Sequence, residues 1–355
     1  MSDIKNYNEK WIINHLPNLE SISDLLGEDK SGIVNGGSIF SYVLPRFFGK
    51  LLDNDPNVVL SKHGVDIRRK YIHNPILKMG PLFLSGKKLI KENVAELPNG
   101  RPIIFAPNHG FFEDPMSSIL MAERHAYLFF GSLPQFFNTF NGVAAYVNGS
   151  ILINRKNKAS RQAAVDKAVR VLELGTDLIL YPEGVLNKSP NMLTLRYWPG
   201  IVKIAQKSNA LIVPIVHLPI GNEIHSSRLP AFDMMQYSDE QTQEALDDLQ
   251  TAVNTELWQL MEKHSQISRT DILGEHERME KACEDIVSAQ VEQLGRYYDY
   301  PIECMGDFQS RQITKEVDVW EPVAKLKVNQ ANVSEVLYAQ MRVEILRQTD
   351  YQHRF

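Results

Sequence analysis

RPIIFAPNHGFFEDPMSSILMAER, residues 101–124, sets the architecture of this chain. Residues 102–106 are a short run of branched and aromatic side chains, which reads as a buried strand. Asn108 and Gly110 break that run. Asp114-Pro115 then opens an apolar, helically spaced stretch, as a capping carboxylate followed by proline at the first helical position would. Strand, loop and helix follow one another within 24 residues. Outward from this unit the alternation repeats, with strands expected at 126–131, 150–154, 177–181 and 211–216 and helices at 160–174 and 200–208. Such alternation predicts an α/β fold with a mainly parallel central sheet flanked by helices, and places function at strand ends.

Beyond this core the pattern changes. Residues 61–91 carry eight basic side chains against one acidic, Asp66, and residues 38–52 mix Phe40, Tyr42, Phe47 and Phe48 with Arg46 and Lys50. This reads as a helical N-terminal segment, 1–95, that either caps the core or faces an anionic membrane. The core spans 96–235. After it, Leu246, Leu249, Val253, Leu257 and Leu260 recur at helical spacing, and residues 275–298 and 333–347 continue similarly, giving a helical C-terminal extension over 236–355.

The 355 residues are 43% apolar and 23% charged, proportions of a globular protein with a sizeable core. The net charge of -5 offers no footprint for nucleic acid. Cys283 and Cys304 are too few for a disulfide framework or a thiolate metal site. The polar start, the lack of an uninterrupted apolar run of membrane-spanning length and the sparse cysteines make a cytoplasmic protein, peripheral on the membrane inner face if it touches lipid, the expectation. No phosphate-binding glycine loop, dinucleotide fingerprint, HExxH or GxSxG motif is present. His217 and His225 lack a nearby carboxylate at metal-ligand spacing and read as core or surface histidines, so no metal is expected. Phe129, Phe130, Phe136, Phe137 and Phe140 read as core, with an acyl-chain tunnel as the functional alternative.

The chemistry concentrates in Asn108-His109-Gly110-Phe111-Phe112-Glu113-Asp114. Histidine and aspartate five apart do not share a helix face, but meet if the histidine is on the loop and the aspartate at the helix start. One carboxylate oxygen would then take a backbone N–H and the other the His109 Nδ1–H, leaving Nε2 as a base.

Asn108-His109 with Asp114 resembles the NHxxxxD block of the glycerolipid acyltransferase superfamily, and three further blocks follow in that family's order. Gly149 to Arg155 (GSILINR) is similar to the second, Tyr181-Pro182-Glu183-Gly184 to the third and Val213-Pro214-Ile215 to the fourth. The resemblance covers residues 102–221. It implies an O-acyltransferase that moves an acyl group from acyl-CoA or acyl carrier protein to a hydroxyl of a lysophospholipid, glycerol-phosphate or related small acceptor. His109 would be the general base and Asp114 its orienting partner. Asn108, Gly149, Arg155, Glu183, Gly184, Asn187 and Lys188 would bind substrate, and a helix start or loop amide would hold the oxyanion. No cofactor is implied, because the thioester is already activated.

The third block departs from the family. Val185-Leu186-Asn187-Lys188-Ser189 replaces the usual threonine, arginine and serine, so Lys188 stands as a point charge where a guanidinium fork would grip phosphate. The alternatives are a non-catalytic lipid-binding protein of the same fold and a thioester or ester hydrolase.

Overall fold

The computed structural model describes residues 51–264, except residue 112 and segments 132–139, 155–156, 185–186 and 188–192. Arg155, Lys188, Phe136, Phe137, the aromatic and basic stretch before residue 51 and the helices expected after residue 264 lie outside the described residues.

Three short helices come first, α1 (Pro56–Val59), α2 (Lys62–Ile67) and α3 (Asn74–Met79), the last two joined by a π-helical turn at Arg68–His73. They lead into β1 (Lys88–Val94). The alternating core follows as β2 (Ile103–Pro107), α4 (Asp114–Ala122), β3 (Ala126–Phe130), α5 (Phe140–Asn148), β4 (Ser150–Leu152), α6 (Lys158–Glu173), β5 (Asp177–Ile179), α7 (Gly200–Ser208) and β6 (Leu211–Ile220). Then come β7 (Glu223–Arg228), β8 (Phe232–Asp233) and the long α8 (Thr242–His264).

The strands form one sheet in the order β1-β7-β6-β2-β5-β3-β4, with β8 also on β6. All neighbours pair in parallel except β7 and β8, which run antiparallel to β6. The fold is therefore α/β with a mainly parallel sheet between helices. Strand β2 is buried at all five positions. Its Ile103 and Phe105 meet Ile119, Met121 and Ala122 of α4, whereas Ile104 and Ala106 share a cluster with apolar residues of α6, α7 and α8. The period of two along a strand divides these side chains between the faces.

Strand β1 lies inside the stretch expected to be helical. Its sequence, KLIKENV, has no clean alternation, as suits an edge strand whose charges discourage pairing with another chain. Strand β7, EIHSSR, was equally hidden by its polarity. Five of its six residues are buried.

Topology fixes where a site can form. From β2 the chain leaves toward β3 on one side, and from β5 it crosses back past β2 to β6 on the other. The loops after β2 and β5 thus meet where the connections diverge, the crevice that open α/β sheets use for ligands.

Candidate active site

The loop after β2 carries His109, and the helix after it carries Asp114. His109 Nδ1 lies 2.7 Å from Asp114 Oδ2. The Asp114 carboxylate is fully buried, while the imidazole keeps 21% of its surface exposed. Asp114 is the first residue of α4 and not its cap; Glu113 occupies the cap position without a side-chain cap bond. A single oxygen, Oδ2, also accepts the N–H groups of Gly110 and Phe111 at 3.0 and 3.3 Å. The expected division of labour between two oxygens is corrected accordingly, since the loop curls around one oxygen and Oδ1 has no hydrogen-bond partner among the described residues. With Nδ1 bonded to the carboxylate, the lone pair of His109 sits on Nε2, which has no hydrogen-bond partner among the described residues.

The residues after β5 hold this loop. Glu183 is completely buried; Oε1 accepts the His109 N–H at 2.8 Å and Oε2 the Leu195 N–H at 2.7 Å. The Asn187 N–H donates to the His109 carbonyl at 2.6 Å. Both peptide groups of His109 are thereby fixed from the turn that follows Tyr181. That turn needs glycine, since Gly184 has φ +74° and a Cβ there would come within 2.9 Å of Trp198 Nε1. Tyr181 stacks on the imidazole at 4.1 Å between ring centroids. Burial, reinforced by the Asp114 charge, pushes its phenol well above the ordinary tyrosine range, so it remains neutral.

Asn108 clips the same loop to β6. Its Nδ2 donates to the His217 carbonyl at 3.0 Å and its Oδ1 accepts the His217 N–H at 2.7 Å. His217, buried and held neutral by a pKa lowered to about 4, lies 2.7 Å from Ser226 Oγ through Nδ1 and 3.0 Å from Ser118 Oγ through Nε2. Ser118 donates to the Asp114 carbonyl at 2.7 Å. Proton directions follow from that bond, with His217 Nε2–H donating to Ser118 and Ser226 donating to Nδ1.

Residues 88–218 match the model of the Acyltransferase family. A 1-acyl-sn-glycerol-3-phosphate acyltransferase of Borreliella burgdorferi is 28% identical over 141 residues, covering 38% of this chain and 52% of that protein. Another, from Chlamydomonas reinhardtii, is 24% identical over 131 residues, 37% of this chain and 38% of its own length. The chain thus spans about half, or less, of the curated relatives it matches. The crystal structure of the 1-acyl-sn-glycerophosphate acyltransferase PlsC from Thermotoga maritima is similar over 64% of this chain and 91% of that one, at 18% identity and a TM-score of 0.45.

Within the matched segment, the structure brings Asn108, His109, Asp114, Glu183, Gly184 and Asn187 together. Gly149 it does not; that residue precedes β4 at the opposite, N-terminal end of the strands, with φ +108° and a Cβ position 2.7 Å from the Tyr127 ring. Sequence reasoning missed Tyr181 as a stacking partner, the Ser118–His217–Ser226 chain and the buried Lys87–Glu113 pair at 3.1 Å beside Asp114. Only Tyr181 carried a signal, as the first residue of the third block.

Proposed function

We propose that this protein is an O-acyltransferase that moves an acyl group from a thioester, acyl-CoA or acyl carrier protein, to a hydroxyl of a lysophospholipid-type acceptor. One observation carries the reading. A partly exposed imidazole at the carboxyl ends of the strands is oriented by a buried carboxylate 2.7 Å away, with its second nitrogen unencumbered.

In this mechanism the acceptor hydroxyl gives its proton to His109 Nε2 as its oxygen forms a bond to the thioester carbonyl carbon. The carbonyl oxygen takes the negative charge. On collapse the C–S bond breaks, and the leaving thiolate recovers the proton from the imidazolium. The acylated lipid and a free thiol result. Asp114 stays ionised and stabilises the transient imidazolium. General-base help of this kind contributes about a hundredfold to ten-thousandfold. Glu183 and Asn187 act on the backbone of His109, which supports a positioning role for them in place of direct acceptor binding. The amides of His109, Gly110 and Phe111 already serve carboxylates, so the oxyanion donor has to come from elsewhere around the site.

An apolar groove of about 590 Å³ runs past Leu77, Leu84, Leu89 and Leu120, with the exposed Lys88 on its wall, and suits an acyl chain with an acidic head. Tyr71, Met79 and Leu82 are exposed among Arg69, Lys70, Lys78 and Lys88, which supports peripheral contact with anionic lipid. No helix among the described residues is long and apolar enough to cross a membrane.

The test is thiol release from palmitoyl-CoA by the full chain, with and without lysophosphatidic acid, in wild type and His109→Ala. Acceptor-dependent release that the substitution abolishes is expected. Equal release from both proteins would remove His109 from the chemistry, and release that ignores the acceptor would make the protein a hydrolase.

A further inference from the structure

Three strands away from the one whose following loop carries His109, the open edge of the sheet gathers a second set of polar side chains. Glu92 on β1 and His225 on β7 project from the same face of adjacent strands, since Ile90 pairs with His225 and Glu92 lies two residues on. His264, the last residue of α8, closes over them. His225 and His264 stack with ring centroids 3.8 Å apart. His225 Nδ1 and His264 Nε2 each lie 2.7 Å from the same oxygen, Glu92 Oε1. The three ligand atoms all fall within 4.8 Å of one another.

Two details separate this cluster from an ordinary surface ion pair. The first concerns orientation. His225 lies between two carboxylates, with Nδ1 hydrogen-bonded to Glu92 Oε1 at 2.7 Å and Nε2 3.3 Å from Glu223 Oε2. A carboxylate behind the distal ring nitrogen is also the usual support of a metal-binding histidine. The second concerns His264, whose Nε2 is buried and, although close to Oε1, makes no hydrogen bond among the described residues. Two ring nitrogens thus converge on one carboxylate oxygen, and only one of them is hydrogen-bonded to it. Lys263 Nζ, 2.6 Å from Glu92 Oε2, occupies the other carboxylate oxygen and leaves Oε1 to the histidines.

We infer that Glu92, His225 and His264 form a binding site for one transition-metal dication of the Zn²⁺ type, oriented by Glu223, which fastens the end of α8 to the sheet edge. Two imidazole nitrogens and one monodentate carboxylate oxygen suit Zn²⁺ and its first-row neighbours far better than Mg²⁺ or Ca²⁺. Bonds of about 2.0–2.2 Å with tetrahedral angles place such ligand atoms about 3.3–3.6 Å apart, so opening the observed 2.7 Å spacings by about 0.6–0.9 Å admits the ion. His225 was read from sequence as a non-ligand because its carboxylate partner lies 133 residues away.

The untagged full chain, stripped with chelator and titrated with Co²⁺, tests this. Expected are one Co²⁺ per chain with visible absorption bands, displacement by Zn²⁺, no response to Mg²⁺, and a thermal midpoint raised by Zn²⁺. Glu92→Gln and His264→Ala should weaken binding at least about tenfold, and Glu223→Gln by about tenfold to a hundredfold, with unchanged circular dichroism. A hydrogen-bonded cluster only, seen as no stoichiometric Co²⁺ or as equal binding by the folded Glu92→Gln variant, would overturn the assignment.

Discussion

Replacing Asp114 by asparagine separates the charge of this side chain from its geometry. In many His–Asp pairs an amide can rotate and present its NH₂ to the imidazole, fixing the wrong tautomer. Here Oδ2 also accepts the N–H groups of Gly110 and Phe111, and an NH₂ in that place would face two donors. The asparagine oxygen is therefore held toward the loop, His109 keeps its proton on Nδ1, and the loss is that of a negative charge beside the imidazolium. Two unit charges about 4 Å apart interact by about 4 kcal/mol at an effective dielectric of about 20. Because the ring is partly exposed, about 1–3 kcal/mol of that survives solvent screening. Acyl transfer should consequently fall by about 10- to 100-fold. The fall should appear in kcat with KM little changed, because the imidazolium exists only while the proton is in transit. The amide NH₂ would take the place of Oδ1, which has no partner among the described residues, so the fold should also lose about 1–3 kcal/mol. Initial rates with palmitoyl-CoA and lysophosphatidic acid, compared with unfolding midpoints, read both effects. A variant with wild-type kcat, or one whose activity loss merely follows its unfolded fraction, would refute the charge-stabilised imidazolium.

Glu183→Gln should lower stability by about 1–3 kcal/mol in denaturant melts, because one amide cannot accept from both His109 N–H and Leu195 N–H; an unchanged midpoint would contradict the clamp. Lys87→Met should cost about 3–5 kcal/mol by leaving the Glu113 carboxylate buried without its cation, and pairing it with Glu113→Leu should restore most of the loss. His125 and His217 both have pKa values lowered to about 4, chiefly by burial, against about 6.5 in the unfolded chain. Between those values the unfolded state binds more protons, so stability is full above pH 6.5 and is lost as pH falls toward 4, with a slope of up to about 3 kcal/mol per pH unit. A flat profile from denaturant melts across that range would show that the two rings are not held neutral.

The parts legible in the sequence were local ones. Residues 102–124 announce strand, loop and helix because the apolar run, the breaking Asn108 and Gly110 and the Asp114-Pro115 step are contiguous, and His109 and Asp114 meet because only five positions separate them. Helix α8 was visible through its apolar spacing, and Leu246, Leu249, Val253, Leu257 and Leu260 are all buried. Strand β7 was not visible, since His225, Ser226, Ser227 and Arg228 look like a loop until their partners are known. Ser226 meets His217, Ser227 meets Glu256 and Arg228 meets the Met121 carbonyl, none of them a neighbour in sequence. The same distance hid the work of Glu183. Its carboxylate, expected at the acceptor, lies beneath a loop 74 residues earlier.

Mass spectrometry of a lipid extract incubated with the full chain and an isotope-labelled acyl thioester most directly tests His109 as the base that activates an acceptor hydroxyl. With wild-type protein the label should appear as a new ester on a hydroxyl-bearing lipid, and with His109→Ala it should remain on the thioester. Label found only as free fatty acid, or the same ester formed by both proteins, would contradict that role.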